Sequence, residues 1–247
     1  MQVITYASLK GGVAKTTTTG YLAAALAAVH PGRVLAIDAD PNNNLTDLLL
    51  RDIDEDTLEG KNLLHVFTRK LRAEETIYRS SLVPNLDVIP AVPELAHVGA
   101  ELFANPMAVC LGFPAALRKL PYDFILIDAP PALTLEFRAS LYAADHVVIP
   151  TKLHRWALQA YILVQREVEE IQISSGKAPR IRILATFCND GQADKIRKTI
   201  PGAEFCTTNF PKIAAIENAT TAGTLLKAGS VAARAFEQYA EEVKTWH

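Results

Sequence analysis

Ten residues near the amino terminus, Ser8-Leu9-Lys10-Gly11-Gly12-Val13-Ala14-Lys15-Thr16-Thr17, restrict the fold more than any other stretch of the chain. They lie between an apolar run, Val3 to Ala7, that reads as a strand and an Ala-rich run, Thr16 to Val29, that reads as a buried helix. Strand, glycine-rich loop with Lys-Thr, and helix in that order is the context of a phosphate-binding loop. Such a loop needs consecutive backbone N–H groups facing one concavity, glycines that let the backbone approach the anion, and the positive end of a helix beneath. Gly11, Gly12 and the start of the helix supply these. Lys15 is then placed on the β- and γ-phosphates, and the Thr16 hydroxyl completes the coordination of Mg²⁺. The loop alone predicts a nucleoside triphosphate ligand.

Further along, short apolar runs alternate with helical patterns. Pro31-Gly32 breaks the chain before the strand Arg33 to Asp38, and Phe124 to Asp128, His146 to Pro150 and Ile181 to Phe187 repeat the pattern. At least five strands covered by helices on both faces predict an α/β fold, a doubly wound and mostly parallel sheet. The chain has 247 residues, 49% of them apolar, with no internal repeat or Gly/Ser-rich linker, so one domain over residues 1–247 is expected. No apolar run reaches the roughly 18 residues of a membrane helix, and Met1-Gln2-Val3-Ile4-Thr5 lacks a basic region followed by a hydrophobic stretch. A cytoplasmic location is the expectation. Cys110, Cys188 and Cys206 are far apart and form no CxxC, which favours three ordinary, partly buried thiols. The polar stretch from Arg51 to Glu75 reads as a solvated surface excursion without chemistry of its own.

Lys10 to Thr16 also fits the pattern K-G-G-x-x-K-[ST], and here the chain resembles the deviant Walker A ATPases of the ParA/MinD type. The resemblance implies a P-loop NTPase fold that binds ATP and Mg²⁺ through Lys10, Gly11, Gly12, Val13, Ala14, Lys15, Thr16 and Thr17. It implies too that Lys10 reaches across a homodimer interface to the partner's ATP, so that two subunits sandwich two nucleotides. Where the family usually has Gly, this chain has Ala14, which adds a methyl near the phosphates. Leu35-Ala36-Ile37-Asp38-Ala39-Asp40-Pro41, continued by Asn44-Leu45-Thr46, resembles the family's second signature box. Tyr122 to Pro131, with its Asp-x-Pro-Pro ending, resembles the Walker B strand. By resemblance Asp40 orients the attacking water, Asp38 supports the Mg²⁺ shell, and Asp128 contacts the metal through water. Lys10 and Asp40 are the catalytic candidates. Ile89 to Leu95 and Val148 to Leu158 are similar to ParA proteins as well, so the likeness spans nearly the whole chain.

Within that family the subclasses differ in partner. MinD-like members attach to membranes through a basic amphipathic C-terminal helix. Here Val231 to Trp246 places Phe236, Tyr239, Ala240 and Val243 at helical spacing but interleaves Glu237, Glu241 and Glu242, so it reads as a helix packed on the domain. No second thiol accompanies Cys110 in a context suited to a bridging iron–sulfur cluster, and no glutaminase domain or N-terminal helix-turn-helix is expected. The net charge is -2, so affinity for DNA needs a local patch. From Lys177 to Lys212, seven basic residues (Lys177, Arg180, Arg182, Lys195, Arg197, Lys198, Lys212) face three acidic ones (Asp190, Asp194, Glu204), a balance of 7 − 3 = +4. Such an excess fits sequence-blind phosphate contacts, and equally an ordinary solvated helix face. Phe210-Pro211-Lys212 resembles the family segment in which the proline borders the adenine pocket and the basic residue faces DNA; Ala215 stands where another basic residue is common.

The resemblance therefore implies a partitioning or positioning ATPase, closest to the Soj-like branch. Its ATP-bound homodimer would hold DNA non-specifically over the nucleoid, and a ParB-like or other adaptor would stimulate slow hydrolysis and release. Two alternatives stay open: a MinD-like, membrane-associated regulator of the division site, and a nucleotide-gated interaction module without significant hydrolysis.

Overall fold

Aliphatic and β-branched runs four to six residues long are too short for stable helices and pair instead, each covered by helices that bury the two sheet faces. In the computed structural model, which describes residues 1–153, 157–212 and 214–246, they form one eight-stranded sheet. The strands are β1 (Gln2–Tyr6), β2 (Val34–Asp38), β3 (Tyr78–Arg79), β4 (Leu86–Ile89), β5 (Phe124–Asp128), β6 (His146–Thr151), β7 (Arg180–Ala185) and β8 (Glu204–Phe205). Their spatial order is β3-β4-β2-β5-β1-β6-β7-β8, parallel throughout except for β3 against β4. The helices are α1 (Lys15–Val29), α2 (Asn44–Leu49), α3 (Glu55–Gly60), α4 (Leu63–Phe67), α5 (Val98–Glu101), α6 (Pro106–Leu117), α7 (Leu135–Ala143), α8 (Ala157–Ser175), α9 (Asp190–Thr199), α10 (Ala214–Ala222) and α11 (Val231–Lys244).

The expected fold class holds, and the five expected strands lie within two residues of where the sequence put them. Three further strands, β3, β4 and β8, are only two to four residues long and gave no periodic signal. The polar stretch from Arg51 to Glu75 needs correction. Asp54 and Asn62 cap α3 and α4 by accepting from the Thr57 and Leu64 amides, and Leu58, Leu63, Phe67 and Ala73 are buried. Charged positions thus surround an apolar set that belongs to the core. All three cysteines are buried rather than partly exposed.

β1 is central, with β5 on one side and β6 on the other, so chain direction from it diverges and a crevice opens at its carboxyl end. α1 fills one face, and α2 comes unusually close to it. A Cβ on Gly20 would lie 2.7 Å from Leu48 Cδ2, so a larger residue there would push the Leu48 side chain aside. That contact brings the loop before α2 beside the loop before α1.

α11 lies on the same face as α1. Phe236 stacks on Phe210 with ring centroids 4.4 Å apart, and Tyr239 accepts a hydrogen bond from the Tyr6 hydroxyl at 3.0 Å inside β1. Its apolar stripe is core, as the spacing of Phe236, Tyr239, Ala240 and Val243 predicted. Phe236→Ala is expected to cost about 3–5 kcal/mol in urea denaturation. Arg234→Ala, on the exposed side, is expected to stay within about 0.5 kcal/mol. A Phe236→Ala cost below about 1 kcal/mol would show that α11 is detachable.

Candidate functional site

The loop between β1 and α1 leaves a helix end uncapped. Ala14 at the N-cap makes no side-chain capping bond, and the first turn of α1 carries no acidic residue. The leading N–H groups and the positive end of the helix dipole are therefore available to an anion. Gly12 (φ 68°) and Ala14 (φ 73°) both take the left-handed conformation that curls the loop. Cβ atoms built on Gly11 and Gly12 would meet nothing within 4 Å, so the loop backbone borders open space. Ala14 occupies a conformation that favours glycine, at a cost of about 1–2 kcal/mol. The Gly usual in the family is explained by that backbone geometry.

Lys15 is only 8% exposed and its Nζ donates to the Lys10 carbonyl at 3.3 Å, closing the loop on itself. Burial holds this ammonium below the usual lysine range, with Asp128 and Asp40 opposing the shift. Parallel register then places Asp38 at the end of β2 directly beside Asp128 at the end of β5. Thr16 Oγ1 donates to Asp128 Oδ2 at 2.6 Å, joining the first helical turn to that strand. Burial, then the charge of Asp38, pushes the Asp128 carboxyl well above the usual range. Burial also pushes Asp38 up to about 7, against hydrogen bonds from Thr46 and Asp40.

The carboxylates play different parts. Asp38 Oδ2 accepts from the Thr46 amide at 2.9 Å and hydroxyl at 2.8 Å, and Oδ1 from the Asp40 amide at 3.1 Å. It fixes the course of residues 40 to 46, a role beyond the metal shell expected for it. Asp40 accepts from the Asn42 amide and side chain through Oδ1 at 3.0 and 2.9 Å. Glu136, in the first turn of α7, is 2% exposed, and burial followed by the charge of Asp40 raises its carboxyl.

Three carboxylates around one buried lysine leave negative charge that asks for a cation, and the donors are hard oxygens suited to Mg²⁺. Among the described residues no three His, Cys, Asp or Glu side chains converge as a complete metal cage. A Mg²⁺ ion here would be held by Thr16 and Asp128 together with phosphate oxygens and water. The residues fit both groups.

Pro211 lies one residue beyond Phe210, whose carbonyl accepts from the Cys188 amide at 3.1 Å past the end of β7. Thr186, in that same exit, donates from Oγ1 to the Val13 carbonyl at 3.1 Å, so the Pro211 segment is tied to the phosphate loop. Thr186 was not found from sequence, since a lone threonine after a strand carries no signal. Thr19 donates to the Lys15 carbonyl at 2.9 Å and also lies 3.5 Å from Asp128; its position four residues after Lys15 was the one available hint.

The seven basic residues do not gather on one face. Lys177 pairs with Asp145 at 2.7 Å, and Arg180 begins β7, both at the end of the sheet opposite the phosphate loop. Arg182 pairs with Glu204 at 2.7 Å and lies over the Trp246 ring with its side chain 11% exposed, so it is a packing residue. Arg197 pairs with Asp194 at 3.1 Å. Lys195 and Lys198 are exposed on α9, and Lys212 is exposed at the loop end, 3.9 Å from Glu217. Sequence proximity had counted together residues that the parallel crossover separates.

Ala14→Gly removes the left-handed strain at the helix start while adding about 0.4–1 kcal/mol of unfolded-state entropy. Chemical denaturation is expected to show a change between zero and about 1 kcal/mol of stabilisation. A loss of about 1 kcal/mol or more would contradict the strain at Ala14.

With this geometry in place, likeness to known proteins becomes specific. A family model described as an AAA domain matches residues 1–182. The chain is 34% identical to the chromosome-partitioning ATPase Soj of Thermus thermophilus over 73% of this chain and 66% of that protein. It is 31% identical to a ParA family protein of Chlamydia pneumoniae over 97% of this chain and 94% of the other. Its fold matches the ATP complex of a Cyanothece McdA variant with a TM-score of 0.84 at 23% identity, covering 100% of this chain and 98% of that one. Aligned almost end to end with a ParA family protein at 31% identity, the chain belongs to the ParA family.

Proposed function

We propose that the chain is an ATP-dependent partitioning or positioning ATPase that cycles as a homodimer on DNA. The observation that carries this reading is the glycine loop whose buried Lys15 feels the charges of Asp128 and Asp40, with Asp38 paired beside Asp128 at the carboxyl ends of β2 and β5. The loop amides, Lys15 and the α1 terminus bind the β- and γ-phosphates. Thr16 and Asp128 hold Mg²⁺, which when bound neutralises charge on the phosphate oxygens. Asp40, steadied by Asn42, orients the attacking water. Lys10 reaches the nucleotide of a second subunit, so binding ATP closes the dimer.

Solved and curated relatives support both the nucleotide and the partitioning role, since one structural neighbour is an ATP complex and one relative is a chromosome-partitioning ATPase. DNA is held without sequence preference by the exposed basic residues Lys195, Lys198 and Lys212, over the nucleoid in the cytoplasm. A ParB-like or other adaptor stimulates slow hydrolysis and release. The membrane-cycling alternative is disfavoured by α11, whose apolar residues Phe236, Tyr239 and Val243 are buried in the core. Among the described residues no helix is long and apolar enough to cross a membrane.

Lys15→Ala is expected to abolish ATP binding in equilibrium dialysis. Asp40→Ala is expected to bind ATP and dimerise but to hydrolyse about a hundredfold more slowly in single-turnover assays with DNA. Wild-type rates in both variants would refute these assignments. Absence of hydrolysis in the wild type, with ATP-dependent dimerisation intact, would favour the nucleotide-gated module.

A further inference from the structure

A cavity of about 440 Å³ lies away from the phosphate loop, between α4, residues 69–75 and α6. Its size is that of a small-molecule site. Phe67 and Phe113, core residues 3% exposed whose rings meet edge to face at 5.1 Å, present their edges with Val109 as the cavity's apolar floor. Arg69, Lys70, Arg72 and Lys119 stand around it with Glu74 and Glu75. Both glutamates are taken by Arg72, each at 3.1 Å. Arg69, Lys70 and Lys119 have no ion-pair partner among the described residues.

The charge separation is written into the sequence. From Lys61 to Arg72 there are four basic residues (Lys61, Arg69, Lys70, Arg72) and no acidic one, and from Leu102 to Tyr122 only Arg118 and Lys119 are charged. These two segments supply most of the cavity wall in a chain whose net charge is -2. Burial first, and then the charge of Lys70, hold the nearby His65 below the usual histidine range. Arg69 has φ 59°, a strained backbone for a long side chain. Its Nη2 crosses to α6 and donates to the Ala108 carbonyl at 3.2 Å, over Gly112, where an added Cβ would sit 3.6 Å from that nitrogen. One acceptor leaves most of the five guanidinium donors for a ligand. A merely solvated cationic surface needs no strained arginine reaching across to α6.

We propose that this cavity binds a small amphiphilic anion, its apolar body on Phe67 and Phe113 and its phosphate or carboxylate head held by Arg69, Lys70 and Lys119. The site is separate from the nucleotide reading and stands without it. Dodecyl phosphate, kept below its micelle concentration and titrated into the full-length protein by calorimetry, is expected to bind saturably at one site. Uncharged dodecanol is expected to bind at least about tenfold more weakly. Lys70→Ala with Lys119→Ala is expected to weaken dodecyl phosphate about tenfold. Gly112→Leu, which fills the cavity with a better helix former, is expected to abolish binding while leaving circular dichroism unchanged. Flotation with phosphatidylglycerol vesicles, lost in the lysine double variant, would assign the head group to a lipid; dodecyl phosphate binding without flotation would assign it to a free anion. No saturable binding, equal affinity for dodecanol, or affinity unchanged by both substitutions would overturn the proposal.

Discussion

Negative charge buried beside the phosphate loop organises this molecule. Adjacent parallel strands deliver Asp38 and Asp128 side by side, and the buried Lys15 cannot neutralise both together with Asp40. Taken alone, the cluster is costly, because burial and mutual repulsion both disfavour ionised carboxyls. With a divalent cation and a polyphosphate present, the same charges become complementary, and the open end of α1 adds its dipole to the anion's side. The fold keeps these groups in place through contacts that do not involve the ligand: Asp38 to Thr46, Thr16 to Asp128, and Thr186 to the loop carbonyl of Val13.

Sequence and structure agree where local chemistry decides the outcome. The loop, the strands ending in Asp38 and Asp128, and the packed stripe of α11 were legible because glycine spacing, apolar runs and helical periodicity have direct physical meaning. The short strands β3, β4 and β8 were not, since two to four residues at the sheet margins have no period of their own. Asp38's bonds to the Asp40 and Thr46 amides were hidden for another reason. They depend on how residues 40 to 46 turn back over the end of β2.

Net charge counted along the chain proved the weakest guide. Arg182 and Lys177 belong to the same sequence excess as Lys212, yet one packs on Trp246, one answers Asp145, and only the third lies at the loop end. Conversely, Arg69 and Lys119 are fifty residues apart and share a cavity. A crossover of about a dozen or more residues carries the chain from one end of a strand to the other, so charge density in a window and charge density on a surface are different quantities in a parallel sheet.

The carboxylate cluster and the uncapped helix together fit a metal-bound polyphosphate. Calorimetric titration of ATP into the protein, with magnesium in one arm and EDTA in the other, tests it most directly. Saturable one-to-one binding that weakens about tenfold or more when magnesium is removed is the expected result. Equal affinity in both arms, or no heat in either, would contradict it.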